Sequence, residues 1–200
     1  LELRAAPGVP TLLAEFLRTR AAIGRRSPED LLALPPLQDE DLRQRLKLLY
    51  SISSAAFQID FSLMIQIALR TTRMSLGGGI AALAAAEYIS YGLMIGPITG
   101  DRKRMDAYGR VALTLLERYP DRGVEALVRF LYGTLIQPYC HPLRDSFAGL
   151  REAHQCGVDT GNLLYASLSL SALATAMWHA GCPIDQVLAE IEGTVAFARR

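Results

Sequence analysis

Three consecutive glycines, Gly77 to Gly79, are the first feature of this 200-residue chain that could do chemistry, because an apolar helical run follows them. A phosphate-binding loop begins in this way, but it also needs a preceding strand and a Lys-Ser or Lys-Thr pair after its last glycine. Here Ile80 and Ala81 follow instead, and no strand pattern precedes. The glycines are therefore predicted to end one helix and form the turn to the next, where glycine tolerates a positive φ.

Histidine and cysteine side chains could together bind a metal. They form three couples, namely Cys140-His141, His154 with Cys156, and His179 with Cys182. One site using all three is excluded, because thirteen residues of helix put the second couple about 20 Å from the first. A site made by the first and third couples stays open beside ordinary capping and core roles. Cys–His catalysis would need an orienting group and a pocket. We predict no catalytic residue, no metal and no cofactor.

The charge balance gives no general attraction to nucleic acid, since 21 Lys and Arg face 20 Asp and Glu for a net charge of +1. Basic clusters at 18–26 and 102–104 lack the interleaved aromatic residues that stack on bases. Three cysteines without a framework spacing favour a reducing compartment. No signal-peptide pattern follows Glu2 and Arg4. We therefore expect a cytoplasmic protein that does not bind nucleic acid.

One uncharged stretch, residues 160–184, is long enough to be considered as a membrane span. Asn162, several Ser and Thr residues and His179 interrupt it, and its apolar residues are mostly Ala and Leu. A buried helix is the better interpretation, and we expect no membrane partner.

Helical periodicity runs along the whole chain, whereas strand signals are nearly absent. Leu42, Leu46 and Leu49, for example, recur at steps of three and four. Breakers divide the chain into helices of about 12 to 20 residues. These breakers are Pro35-Pro36, the three glycines, Pro97, Pro120, Pro138, Pro142, Gly157, Gly181 and Pro183.

The pattern repeats with a period of about 40 residues. Similar segments, "LYSIS", "SYGLM", "LYGTL" and "LSALA", begin at residues 49, 90, 131 and 170. They define four units, 39–76, 80–119, 121–157 and 159–199, each with a helix A and a helix B. We predict an all-α fold, an α-solenoid of antiparallel helix pairs of tetratricopeptide-like or HEAT-like type. Residues 1–38 form lead-in helices at 10–24 and 27–34, and residues 39–200 form the four helix-pair repeats.

Polar and aromatic residues recur on the predicted A helices, which line the concave face of a tetratricopeptide-like stack. The candidate partner-binding residues are Glu87, Tyr88, Tyr91, Arg129, Tyr132 and Tyr165. They would form a groove for a peptide or a helix. In the alternative interpretation the tyrosines fill the core of each repeat and keep their hydroxyls at the surface.

Four segments resemble a known family, namely "PEDLLALPPLQDEDLRQRLKLL", "SLGGGIAALAAAEYISYGLMI", "DAYGRVALTLLERY" and "GVDTGNLLYASLSL". The family is the helical, tetratricopeptide-like region of large bacterial signalling ATPases. In these proteins a Ser/Thr-kinase-like domain and an AAA-type ATPase precede that region, and GAF and histidine-kinase domains often follow it. The chain departs from the family pattern at Gly78-Gly79 and at residues 159–161.

The resemblance implies a noncatalytic interaction or sensing region that relays binding within a larger kinase or ATPase. Its partners would be the adjacent kinase and ATPase domains of the same chain, and protein or peptide partners. Two alternatives are an all-α small-molecule-binding protein and the ligand-sensing array of a transcription regulator. A cavity of several hundred Å3 with convergent polar groups would favour small-molecule binding, whereas a shallow open groove would not.

Overall fold

The computed structural model describes residue 3 and residues 6–199, so Glu2 and Arg4 lie outside the described residues. Within this part the chain is helical, and the prediction of an all-α fold is confirmed. The α-helices are α1 Val9–Ile23, α2 Glu40–Ile59, α3 Phe61–Gly78, α4 Ala82–Thr99, α5 Arg102–Arg118, α6 Arg122–Leu131, α7 Gln137–Cys140, α8 Ser146–Thr160, α9 Leu163–His179 and α10 Ile184–Ala198. Short 3₁₀ turns cover Glu29–Ala33 and Leu143–Asp145, and a π-helical turn covers Tyr132–Ile136.

Consecutive helices pack in pairs, α2 with α3, α4 with α5, α6 with α8, and α9 with α10. In addition, α1 packs on α3 and α8 packs on α9. The main core extends from α1 to α9, and a smaller cluster joins α8, α9 and α10. The tetratricopeptide-like type and the 40-residue repeat stay predictions.

Aspartates define where several of these helices begin. Asp39, Asp60, Asp101 and Asp121 precede α2, α3, α5 and α6, and each carboxylate accepts a hydrogen bond from a backbone N–H of the first turn. Such caps satisfy donors that have no partner inside the helix and stabilise it by about 1 kcal/mol each. The short polar breaks in the sequence therefore direct the chain into separate helices.

The helix predicted at 27–34 is a single 3₁₀ turn, Glu29–Ala33, and does not continue to residue 34. The Asp30 N–H donates to Ser27 Oγ at 3.2 Å, and the Ser27 N–H donates to Asp30 Oδ2 at 2.7 Å. The turn ends at Ala33, because Pro35 and Pro36 have no N–H to continue it.

The three glycines end α3 and lie against the "LPPL" segment. Gly79 has φ +106° and follows the last residue of α3, which confirms the predicted helix end. The Ile80 N–H donates to Pro35 O, and the Leu37 N–H donates to Ile80 O, both at 2.9 Å. A Cβ at position 79 would lie 2.7 Å from Pro35 O. Glycine is therefore needed here for close backbone contact and for its φ, not for phosphate.

We expect Gly79→Ala to destabilise the fold by about 2–3 kcal/mol, because it adds left-handed strain and a clash with backbone. Gly77→Ala is the matched control, since a Cβ there meets nothing within 4 Å and the residue lies inside α3. The free energy of unfolding of Gly77→Ala should rise by about 0.5–1 kcal/mol, because alanine is favoured over glycine in a helix. Urea unfolding of both proteins measures the difference, and equal stabilities would contradict the account of the turn.

Two predicted breakers are wrong, because helices continue through them. Pro97 lies in the last turn of α4, which continues to Thr99 and ends at Gly100 with φ +73°. A proline so near the end removes only one helical hydrogen bond. Gly157 lies inside α8, where a Cβ would approach Ala166 N to 2.8 Å, so this glycine permits close packing of α8 on α9.

Candidate functional site

A cavity of about 950 Å3 lies among helices α1 to α6, and Tyr139 of α7 and Tyr165 of α9 also line it. Its wall is mostly apolar and includes Leu12 and Phe16 of α1, Leu46 of α2, Leu69 of α3, Leu93 of α4 and Leu127 of α6. The volume is within the range of about 300–1,000 Å3 that is usual for small-molecule sites. Several rim residues, among them Val9, Phe57, Phe61 and Ile98, are exposed, so the cavity has an open side.

A single stripe of α4 forms one long wall of the cavity. Leu83, Ala86, Ser90 and Leu93 recur at steps of three and four, so they share one face of the helix. The stripe continues to Ile98, which gives it a length of about 22 Å at 1.5 Å per residue. Ala86 and Ser90 are small, and the space that larger side chains would fill stays open.

The serine and threonine hydroxyls in the wall already have partners inside their own helices. Ser53 donates to Tyr50 O at 2.6 Å, Thr71 to Ile67 O at 3.1 Å and Ser90 to Ala86 O at 2.7 Å. These donors are therefore engaged with backbone. The interior of the cavity favours a hydrocarbon occupant over one that needs several hydrogen bonds.

Glu87 is a buried carboxyl beside the cavity, with 6% of its surface exposed. The Ser75 hydroxyl donates to Glu87 Oε2, and the Thr72 hydroxyl donates to Glu87 O at 3.3 Å, so this residue links α4 to α3. Burial raises the pKa of Glu87 to about 8, although the hydrogen bond from Ser75 opposes the rise. The carboxyl is consequently protonated at neutral pH and adds no charge to the wall.

An ion-pair cluster holds α1 in place as a wall of the cavity. Glu15 is 2% exposed, and its carboxylate receives Arg70 Nη2 at 2.9 Å and also pairs with Arg73. Arg73 donates in addition to Thr19 Oγ1 at 2.8 Å. Burial alone would raise the pKa of Glu15, but hydrogen bonds from Arg73 and Arg70 outweigh it and hold the pKa below its usual value. The carboxylate is therefore ionised and fixes α1 to α3.

The predicted partner-binding residues do not share one surface. Glu87 and Tyr165 line the cavity. Tyr88 and Tyr91 are 0% and 2% exposed and lie in the core, where the Tyr91 ring packs 5.2 Å from that of Tyr108. The alternative, in which tyrosine hydroxyls reach the surface, is wrong for Tyr88, because its hydroxyl is buried too. Partner contact by Tyr88 or Tyr91 would require the helices to separate, and it stays a prediction.

Arg129 and Tyr132, the other two candidates, face polar partners outside the cavity. Arg129 pairs with Glu125 of its own helix and with Glu152 of α8. The Tyr132 hydroxyl donates to Asp106 Oδ1 at 2.9 Å, and burial with this contact raises the pKa of Tyr132. Both side chains thus join helices to one another.

The histidines also have local partners. His141 Nε2 lies 2.9 Å from Asp106 Oδ1, His154 Nδ1 lies 3.1 Å from Ala166 O, and His179 Nδ1 lies 2.8 Å from Thr175 O. Across the described residues, no group of three or more His, Cys, Asp or Glu side chains could hold a metal ion.

The sequence predicts a small-molecule cavity only as an alternative, and it does not predict the Glu15 cluster. Glu15 and Arg70 are 55 residues apart, and no repeat relates them. Leu12, Leu13 and Phe16 form an apolar stripe on α1 and line the cavity. This stripe is the sequence signal that the lead-in helix contributes to the cavity wall.

Among residue 3 and residues 6–199, no helix is long and apolar enough to cross a membrane. No protein-family model, curated protein or solved structure matches the chain. The resemblance to signalling ATPases therefore stays a prediction, and the function is inferred from the cavity.

Proposed function

We propose that this chain is a noncatalytic binding and sensing region of a larger signal-transduction ATPase or kinase in the cytoplasm. Its cavity takes up an apolar ligand, and the adjacent kinase and ATPase domains respond to occupancy. The observation that carries the proposal is the cavity of about 950 Å3 with its apolar wall. A large apolar pocket of this size is a usual place for a small-molecule ligand.

The helix pairs support the proposed architecture, a tetratricopeptide-like α-solenoid of about 40 residues per repeat. Each proposed unit corresponds to one packed pair, from α2 with α3 to α9 with α10. Stacked pairs bury together the apolar faces that one pair would leave exposed. In this architecture α2, α4, α6 and α9 are the A helices, and all four contribute to the cavity wall.

The position of the cavity suggests how binding would be relayed. Its wall combines α1, the pair α2–α3, the pair α4–α5 and α6. A ligand that contacts all of them favours the arrangement in which they are close together. The size of this shift in population is set by how much more tightly the ligand binds the close arrangement than the open one. Neighbouring domains that contact the same helices would sense this shift.

Binding of the neutral fluorescent probe diphenylhexatriene tests the proposal. We expect fluorescence enhancement with one saturable site, and we expect Ala68→Phe to weaken binding about tenfold or more, because its ring would fill part of the cavity. Ala148→Phe is the matched control on an exposed position of α8. Thermal unfolding confirms that both variants fold. Absence of saturable binding, or equal affinities in the two variants, would contradict the proposed site.

A further inference from the structure

We propose that the occupant is a single-chain anionic amphiphile of the fatty-acid class, with its hydrocarbon tail along α4 and its carboxylate at Arg102. This inference rests on the proposed function and assigns a ligand class to the same cavity. It follows from the charges of the wall, the length of the α4 stripe and the position of the polar end of the cavity.

The wall carries one basic and one acidic side chain among its described residues, Arg102 and Glu87. Glu87 is protonated at neutral pH, and its carboxyl accepts a hydrogen bond from the Ser75 hydroxyl. Arg102 is exposed at the start of α5 and forms no ion pair with any described residue. The net charge that the cavity offers to a ligand is thus positive and located at Arg102, which favours an anion there.

The α4 stripe that lines the cavity is about 22 Å long and has room for one extended hydrocarbon chain. The hydrocarbon core of a bilayer is about 30 Å thick, so one acyl chain extends about 15 Å. The twelve residues from Glu87 to Ile98 span about 16 Å of the α4 stripe. Ile98 and Arg102 both line the cavity and are joined by the short turn between α4 and α5. A chain that ends beside Glu87 therefore places its head group near Arg102.

The polar end of the ligand belongs at the rim, because the hydroxyls of Ser53, Thr71 and Ser90 are engaged with helix carbonyls. Tyr139 lines the rim and is exposed. Cys140 Sγ lies 3.5 Å from Arg102 O, so α7 packs against the start of α5 and brings Tyr139 to this end. A cation and a phenol at the mouth of an apolar cavity suit a carboxylate head followed by a hydrocarbon tail.

Calorimetric titration with hexadecanoate, below the concentration at which it forms micelles, tests the assignment. We expect Arg102→Ala to weaken hexadecanoate about fivefold, as for loss of one exposed ion pair. Hexadecan-1-ol, which has the tail without the charge, should bind both proteins equally. Butanoate, which has the charge without the tail, should not bind detectably. Lys103→Ala is the control, since this neighbouring cation is exposed and does not line the cavity.

If wild type and Arg102→Ala bind hexadecanoate with equal affinity and the protein still binds diphenylhexatriene, the assignment is overturned and the proposed function is not. If the protein binds neither hexadecanoate nor diphenylhexatriene, the proposed function is refuted. An amphipathic Leu/Lys peptide helix that displaces hexadecanoate and binds more tightly would assign the groove to a protein partner. Flotation with phosphatidylglycerol vesicles, without uptake of free hexadecanoate, would assign it to a membrane surface. Either of these outcomes also overturns the inference.

Discussion

Glu87→Gln is expected to become more stable than the wild type as the pH rises, with its advantage growing by about 3–4 kcal/mol between pH 5 and pH 9. In the folded protein burial raises the pKa of the carboxyl to about 8, whereas the ordinary pKa of a glutamate is 4.5. Between these values the folded state binds more protons than the unfolded state, so the free energy of unfolding of the wild type falls as pH increases. Glutamine is neutral throughout and can still accept the hydrogen bond from Ser75.

Urea unfolding at pH 5, 7 and 9 measures this effect. At each pH the free energy of unfolding of the variant is subtracted from that of the wild type. The difference is free of the contributions of other titrating groups, including Cys140 and Cys156, whose thiol pKa values burial also raises. Glu117→Gln on the exposed side of α5 is the matched control and should show a constant, small difference. If Glu87→Gln also differs from the wild type by the same amount at each pH, the carboxyl is not buried as described.

Glu15→Gln is expected to lose about 2–3 kcal/mol of stability at pH 7 and to loosen α1. Removing one partner from a buried ion pair typically destabilises by about 3–5 kcal/mol, and partial exposure of Arg70 and Arg73 reduces this figure. Because the folded pKa of Glu15 is depressed, its contribution is present above the unfolded value of 4.5 and is lost as pH falls through the folded value. The difference between variant and wild type should therefore shrink in acid.

The same substitution connects stability to the cavity. Leu12, Leu13 and Phe16 line it from α1, so a loosened α1 should also weaken diphenylhexatriene binding. Urea unfolding and the probe titration are measured on Glu15→Gln, with Glu117→Gln as control again. Unchanged stability together with unchanged binding would show that α1 is not held by this cluster.

Local sequence rules predicted most of the helices because their signals are local. The proline and glycine breaks and the apolar period each depend on neighbours within a few residues. Pro97 and Gly157 show where such rules fail. A proline in a last turn disturbs little, and a glycine inside α8 is explained by its contact with Ala166 rather than by a turn.

The cavity and the Glu15 ion-pair cluster depend on contacts between residues far apart in the sequence. Rules that consider only neighbouring residues cannot predict such contacts. Glu87 is predicted to contribute to a partner-binding groove, whereas the structure has a buried carboxyl that accepts a hydrogen bond from Ser75. Tyr91 follows the same helical pattern as a surface aromatic, but its ring packs against Phe16 of α1 and Tyr108 of α5 in the core. The pairing of Glu15 with Arg70 and Arg73 likewise follows from tertiary packing.

The central claim, that an apolar ligand enters this cavity, is tested most directly by methyl NMR of the methionines. The chain has five, of which Met64, Met94 and Met105 line the cavity and Met74 and Met177 do not. On titration with diphenylhexatriene, ring currents should shift the first three methyl signals and leave the other two in place. Shifts at Met74 and Met177 alone, or none at all, would contradict the account.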